Sequence, residues 1–295
     1  MNVMFPKNGR YLIAVSGGLD SVCLLNIMYA RSGYDLIVAH FDHGIRPESQ
    51  ADHDFVKNLA AEYKLEFVSS SGSLGENASE ATSREARYNF LFQAMHSLHA
   101  DAVVTAHHMD DRLETLIINL IRGTGRRGIA SIGQTENLKR PLLKVSREEL
   151  KGYAQLNGLL WRDDPSNFDN RYLRNYIRAS VLPRINARDK LKLIKLMDDQ
   201  TELNAEIDRI ISGLMNKDDI EHLDLKLLNG LPYNVSTELV ATWLRRNNLI
   251  NFNRKTIERV VIAAKTHRPG KQVNVYGKAA VNIEKTNLAL VVNER

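Results

Sequence analysis

The sequence predicts an α/β protein: a Rossmann-like parallel sheet with helices on both faces, followed by a helical region and a small antiparallel sheet. Three observations support this fold class. Short, β-branched apolar runs alternate with helix-like stretches over roughly the first 120 residues, which is typical of a parallel sheet covered on both faces. After about residue 186 the pattern becomes mainly helical. From Lys271 onward polar and apolar residues alternate between turn-forming pairs, which indicates antiparallel strands.

Four apolar runs, each followed by a helical pattern, organise the N-terminal part. Strands are predicted at 10–15, 35–41, 65–69 and 101–106, and helices at 19–31, 49–64, 79–99 and 110–121. Ligands of such folds bind at the carboxyl ends of the strands. The segments found there are Ser16-Gly17-Gly18, His40–His43, Ser69–Ser71 and His107-His108. We therefore expect the chemistry to lie along one edge of the sheet.

The length of 295 residues favours about two domains. We predict an N-terminal domain over residues 1–185 and a mainly helical C-terminal domain over residues 186–295 that ends in the small sheet. Its helices are predicted at 190–216, 234–247 and 254–267, and its strands at 272–276, 280–283 and 288–292.

The composition is that of a globular protein, with 43% hydrophobic and 25% charged residues. The net charge of +5 fits a polyanionic partner such as nucleic acid, and equally an ordinary basic surface. No apolar run approaches the roughly 18 residues that span a bilayer, and the first residues lack a secretory signal, so we expect a cytoplasmic protein with no membrane partner. The single cysteine, Cys23, excludes an internal disulfide.

The segment from Ser16 to Ser21 has the features of a phosphate-binding loop. It follows a buried strand and opens a helix, so Gly17 and Gly18 allow the backbone to approach a phosphate whose charge the helix start favours. Asp20 repels phosphate unless a cation lies between them, which predicts Mg²⁺. The alternative is a glycine turn with a helix cap and no ligand, which the whole hexapeptide in this context disfavours.

Ser-Gly-Gly-x-Asp-Ser after a first strand resembles the loop of the PP-loop family, the N-type ATP pyrophosphatases. Further motifs resemble the tRNA(Ile)-lysidine synthetases of that family in order along about residues 10–183. These motifs are Ala39–Arg46, Arg84–Tyr88, Thr105–Thr115 with Arg122–Gly125, Arg140–Leu143, and Asp163–Asn167 with Tyr172–Arg178.

This resemblance implies an ATP-pyrophosphatase catalytic domain that joins lysine to carbon 2 of the wobble cytidine of tRNA(Ile) with a CAU anticodon. ATP first adenylates the base, and the lysine amine then displaces AMP. The implied substrates and cofactors are ATP with Mg²⁺, free L-lysine and this tRNA; a homodimer is left open.

The resemblance and the residue chemistry together assign the candidate site residues. The predicted roles are ATP binding by Ser16, Gly17, Gly18, Leu19, Asp20 and Ser21; catalysis by Asp20, Arg87, His107 and Arg178; lysine binding by Asp111 and Glu114; tRNA binding by Arg122, Arg126, Arg127 and Arg174; and Mg²⁺ binding by Asp20 through the phosphates. The i, i+3 spacing puts Asp111 and Glu114 on one helix face, where the alternative is a solvated acidic surface. Arg174 is also an alternative to Arg178 at the phosphate.

The glycine-rich segment Arg122–Gly128 matches Gly-x-Gly-x-x-Gly but follows a helix, so it does not predict dinucleotide binding. Two interpretations of this segment are equally supported: it contacts the tRNA backbone or forms a mobile lid, or it is a glycine turn that ends the helix. The two interpretations are compatible. Basic residues from Arg184 onward could contact the tRNA backbone, although a solvated helix face is at least as well supported for them. They are Arg184, Arg188, Lys190, Lys192, Lys195, Arg245, Arg246, Arg254, Lys255 and Arg259.

Two other functions stay open at this stage. Another PP-loop tRNA-modifying enzyme, such as a thiolase, would use cysteine pairs or a cysteine-held cluster, whereas Cys23 is alone. A metal-dependent phosphohydrolase would use two metals held by histidines and aspartates. The side chains considered for that purpose are His40, His43, His107, His108, Asp110 and Asp111.

Overall fold

A computed structural model describes residues 1–42, 49–72, 80–162, 173–215, 219–249, 252–266 and 269–292. Parts of the family motifs, at 43–46, 163–167 and Tyr172, lie outside the described residues, as do the predicted helix ends at 216 and 267. The predicted fold class is confirmed: a parallel sheet with flanking helices, then helices and a small antiparallel sheet.

The N-terminal sheet contains five parallel strands. They are β1 (Gly9–Ala14), β2 (Tyr34–Asp42), β3 (Glu66–Ser71), β4 (Ala102–Val104) and β5 (Leu138–Lys139). The described helices around them are α1 (Leu19–Tyr29), α2 (Ser49–Glu62), α3 (Glu80–Ser97), α4 (Met109–Ile121), α5 (Arg126–Ala130), α6 (Arg147–Leu156) and α7 (Leu173–Tyr176). A π-helical turn (Ile177–Val181) and a 3₁₀ turn (Leu182–Arg184) lead into α8 (Ala187–Gly213).

Alternate residues of the central strand β1 pack on opposite faces of the sheet. Ile13 belongs to a core cluster with α1 and α6, through Leu24 and Leu150, whereas Leu12 belongs to a second cluster with Leu91 of α3. Both faces are therefore apolar, which explains why the strands read as continuous hydrophobic runs.

The five strands are parallel and lie in the order β3-β2-β1-β4-β5, so the order in which the chain adds strands to the sheet changes side between β1 and β4. The chain leaves β1 toward one side of the sheet and later returns to the other side, which opens a crevice at the carboxyl ends of these two strands. The loop after β1 and the segment after β4 consequently meet, although about 90 residues separate them in the sequence.

The chain divides into two compact units, Met1–Gln200 and Thr201–Arg295. The division lies inside α8, whereas the sequence expectation placed it at 185/186, before that helix. The packing gives the reason: Ile194 and Met197 of α8 share an apolar cluster with Leu113 and Leu116 of α4. The start of the helix thus belongs to the first unit.

The second unit has four antiparallel strands in the order β6-β9-β8-β7. The strands are β6 (His222–Asp224), β7 (Gln272–Tyr276), β8 (Ala279–Ile283) and β9 (Asn287–Val292), with α9 (Leu225–Gly230), α10 (Tyr233–Arg246) and α11 (Arg254–Thr266). Trp243 of α10 is buried in its core, and its indole N–H donates to the carbonyl of Ile220 at 3.0 Å. None of the helices in the described ranges is long and apolar enough to cross a membrane.

Candidate active site

The loop between β1 and α1 has a backbone that only glycine adopts easily. Gly17 has φ +91°, in the left-handed region, and a Cβ added there would lie 3.4 Å from Phe55 and 3.5 Å from Val56 of α2. Gly18 is extended and forms the N-cap of α1. The two glycines therefore perform the sharp turn from strand to helix that the sequence predicts.

The side chain of Ser21 bonds to both ends of the turn formed by this loop. The Ser21 hydroxyl donates to the carbonyl of Gly18 at 2.9 Å and accepts from the amide of Ser16 at 3.2 Å. The amides of Gly17, Leu19 and Asp20, by contrast, donate to no group in the described part of the chain. These amides lie at the N-terminus of α1, so they are available for an anion that the helix dipole also favours.

Asp20 of the loop meets His108 from the segment after β4. The Nε2 atom of His108 lies 3.5 Å from Asp20 and 3.5 Å from Asp111, and the residue is only 1% exposed. Burial alone would lower the pKa of His108, but the carboxylates of Asp111, Asp20 and Asp110 raise it to about 9. His108 is therefore a cation that joins the phosphate loop to α4.

The pKa of Asp20 is lowered from its ordinary value. Burial alone would raise it, but the hydrogen bond and charge of His108, together with the charges of Arg147 and Arg178, outweigh burial. Asp20 thus remains an anion at neutral pH.

His107, the imidazole that the sequence singles out, has different surroundings. Its Nδ1 atom lies 2.9 Å from the hydroxyl of Thr105. Burial holds its pKa well below the ordinary value, against the opposing charge of Asp111. Three arginines lower the pKa further and make the surroundings of this neutral imidazole electropositive: Arg140, Arg84 and Arg87.

The carboxylates of Asp111 and Glu114 converge on one guanidinium, that of Arg178. Glu114 accepts from Nε of Arg178 at 2.6 Å and from a terminal nitrogen at 3.0 Å, and Asp111 lies 3.3 Å from the latter nitrogen. Glu114 is fully buried, and burial raises its pKa against the effect of Arg178. A solvated acidic surface is therefore excluded for Glu114, and both carboxylates face the guanidinium of Arg178.

The other predicted arginines lie around this centre. Arg174 is 3.6 Å from Glu114 and donates to the hydroxyl of Thr115 at 3.3 Å. The guanidinium of Arg87 lies 5.5 Å from the ring centre of Tyr88 on α3. Arg122 caps the C-terminus of α4, where Gly123 has φ +73°, and Arg126 and Arg127 begin α5. The glycine-rich segment is thus a helix-ending turn, and tRNA contact there stays a prediction.

The donor chemistry at Asp20 fits a magnesium ion. Its Oδ1 atom is buried and accepts no hydrogen bond from the described residues. A carboxylate oxygen is a ligand that Mg²⁺ prefers, and Mg²⁺ is commonly held by one or two carboxylates together with substrate phosphates. Within the described ranges no group of three or more His, Cys, Asp or Glu side chains is arranged to hold a metal.

The PP-loop domain model matches residues 2–185. A protein named tRNA(Ile)-lysidine synthase from Nostoc sp. is 32% identical over 274 residues, which cover 88% of this chain and 76% of the relative. The chain belongs to the tRNA(Ile)-lysidine synthase family of PP-loop proteins. This membership confirms the resemblance that the motifs indicated.

Other members of the family are longer. A tRNA(Ile)-lysidine synthase from Solibacter usitatus is 32% identical over 92% of this chain and 65% of its own length. One from Thermus thermophilus is 40% identical over 62% of this chain and 37% of its own. The chain therefore spans less than two thirds of these relatives. A U34-tRNA thiolase from Methanococcus maripaludis shares the fold, with a TM-score of 0.55 and 20% identity over 67% of this chain and 74% of the thiolase.

Sequence reasoning missed two features of this family member's site. The sequence analysis considers His108 only beside His107 or as a metal ligand, although the two acidic residues in the first turn of the following helix could signal a buried cation. The ion pair between Asp52 and Arg162 was not foreseen, because residues 110 positions apart carry no common pattern.

Proposed function

We propose that this protein uses ATP to attach lysine to carbon 2 of the wobble cytidine of tRNA(Ile) with a CAU anticodon. The observation that carries the proposal is the loop after β1, where three amides at a helix start make no hydrogen bond with the described chain beside the anionic Asp20. Family membership supports ATP use at this loop. The amides suit the β and γ phosphates, which leave as pyrophosphate when the base oxygen attacks the α-phosphate.

The cation-binding pair Asp111 and Glu114 supports the second step. We assign to it the ammonium groups of lysine, because Arg178 shows that both carboxylates face one positively charged group. Lysine binding then requires that Arg178 give up part of its contact with Glu114. Arg178 itself is assigned to a phosphate oxygen during adenylation, because its paired N–H donors match phosphate oxygens. The ε-ammonium group loses a proton to water and attacks carbon 2 as the neutral amine. The bond between carbon 2 and its adenylated oxygen then breaks, and AMP leaves with that oxygen.

Other residues supply charge around the reacting phosphate. We assign Arg87 to a phosphate oxygen, and neutral His107 to a hydrogen bond that strengthens as charge develops. Asp20 would hold Mg²⁺ between itself and the phosphates, and the ion would neutralise the charge of the leaving pyrophosphate. Arg122, Arg126, Arg127 and Arg174 are assigned to the tRNA backbone.

The sole cysteine argues against thiolation. Cys23 is buried, its Sγ atom lies 3.4 Å from the carbonyl of Leu150, and burial raises its pKa to about 12. A thiol of that kind is a poor nucleophile.

The decisive test incubates the protein with radiolabelled lysine, Mg·ATP and a transcript of tRNA(Ile) with a CAU anticodon, followed by nucleoside analysis. Lysidine, AMP and pyrophosphate are expected in equal amounts in the complete reaction. Lysidine must vanish when any one substrate is omitted, and pyrophosphate must vanish without ATP or without the tRNA. The matched control is tRNA(Met), which has the same anticodon letters. Release of inorganic phosphate without lysine would instead indicate a hydrolase, and no labelled nucleoside would reject the proposal.

A further inference from the structure

An ion pair lies beside the phosphate loop. Arg162 donates through Nε to the carboxylate of Asp52, although 110 residues separate the two. The side chains are 41% and 30% exposed, so the pair is accessible to solvent. The roles assigned above to the phosphate loop do not use either residue.

The backbone of Arg162 lies directly against the loop. Its amide donates to the carbonyl of Gly17 at 3.0 Å, and its carbonyl is 3.9 Å from the position of a Cβ at Gly18. Leu159 and Trp161, just before it, pack against the core below the sheet. Arg162 is thus held beside the loop by its main chain, while its side chain remains half-exposed.

Asp52 belongs to the helix that packs against the loop. Phe55 and Val56, one turn further along α2, pack against Gly17. Residues three and four positions apart share a helix face, so Asp52 lies on the same face of α2, toward its N-terminus. The pair therefore lies beside the loop and joins two segments that both contact Gly17.

We propose that Arg162 binds the terminal phosphates of ATP and the pyrophosphate that leaves, and that Asp52 competes with these phosphates for its guanidinium. The inference rests on the proposed function, since it requires a triphosphate on the loop. Arginine binds pyrophosphate more strongly than it binds a single exposed carboxylate. Pyrophosphate carries more negative charge, and its oxygens accept two parallel N–H donors from one guanidinium. An exposed pair with one carboxylate is weak and exchanges readily.

The competition makes opposite predictions for the two partners. Arg162→Gln should weaken the binding of inorganic pyrophosphate by about ten-fold, as expected for loss of a half-exposed charge-assisted contact. Asp52→Asn should strengthen it by about two- to five-fold, because an exposed carboxylate no longer holds the guanidinium. If the pair merely clamped the loop, both substitutions would weaken pyrophosphate binding alike.

The experiment measures inorganic pyrophosphate binding by calorimetry in buffer with Mg²⁺, and pyrophosphate inhibition of lysidine formation in parallel. Arg162→Lys should retain most of the affinity, and Arg188→Gln, an exposed arginine at the start of α8, serves as the matched control. Thermal unfolding of each variant checks that the fold is kept.

Three outcomes separate the possibilities. Opposite effects of the two substitutions support the inference. Equal weakening by both, or normal affinity in Arg162→Gln, overturns it while leaving the ATP site in place. Failure of the unmodified protein to bind either pyrophosphate or ATP overturns the proposed function and this inference with it.

Discussion

Replacing Glu114 with glutamine tests the proposed lysine site most directly. The substitution keeps the shape of the side chain and removes its charge. Glu114 is fully buried and makes two hydrogen bonds to Arg178, at 2.6 and 3.0 Å. Removing one partner of a buried ion pair costs about 3–5 kcal/mol when the other charge is left unpaired. Arg178 keeps Asp111 at 3.3 Å and is 28% exposed, so we expect a smaller loss of about 2 kcal/mol.

That loss should lower the thermal midpoint of the variant by about 4–8 °C, since about 1 kcal/mol corresponds to 2–4 °C in a unit of this size. The control is Glu202→Gln, an exposed position on α8, which should change stability by less than about 0.5 kcal/mol. The comparison separates loss of the buried pair from the general effect of removing one negative charge.

The kinetic consequence is specific to lysine. A charged hydrogen bond contributes about 1.5–3 kcal/mol, so the KM for lysine should rise by about 10- to 100-fold at saturating ATP and tRNA. Pyrophosphate release in the first step should change only a few-fold. The assay follows labelled lysine incorporation and pyrophosphate release in the same reaction. If pyrophosphate release were lost while the lysine KM stayed unchanged, the assignment of Glu114 to lysine binding would be refuted. Glu114 would then serve only to position Arg178.

Three further predictions address other parts of the site. Asp20→Ala should abolish ATP–pyrophosphate exchange, because the phosphates lose their cation-binding carboxylate, and normal exchange would contradict the magnesium assignment. Replacing Arg126 and Arg127 with glutamine should weaken tRNA binding and reduce the slope of log K against log salt by about 0.9 per lost phosphate contact, as filter binding at several salt concentrations would show. His108 has a pKa raised to about 9, so its stabilising charge is fully present below pH of about 6.5 and is lost as the pH rises through 9. In urea unfolding without magnesium, the unfolding free energy should fall between pH 7 and 9 by up to about 1.4 kcal/mol per unit, and His108→Gln should flatten this slope; parallel slopes would count against a charged His108.

Local sequence patterns predicted most of the fold, because apolar periodicity and glycine positions specify where most strands, helices and turns form. The strand through Leu12 and Ile13 is apolar on both faces, and Gly17-Gly18 then provides a turn that side chains would obstruct. The two-residue strand β5 and the edge strand β6 went unpredicted, since pairing with β4 and β9 defines them and their own sequences carry little signal.

The sequence could not predict which charged residues form pairs across the fold. The motifs located Asp20, Asp111, Glu114 and Arg178, but not which opposite charge each would face. Which imidazole becomes charged depends on burial and on carboxylates from two separate segments, and these favour His108 over His107. Such effects depend on distances of a few ångströms and on local exclusion of water.

The sequence by itself determined the parallel sheet, the phosphate loop and the family, because each depends on short patterns of residues whose local chemistry is the same wherever they occur. The tertiary structure alone decided that Arg178 lies between two carboxylates and that Arg162 meets Asp52 beside the loop. Both pairings bring together segments that are distant in the sequence, because Coulomb interactions depend on separation in space and not along the chain.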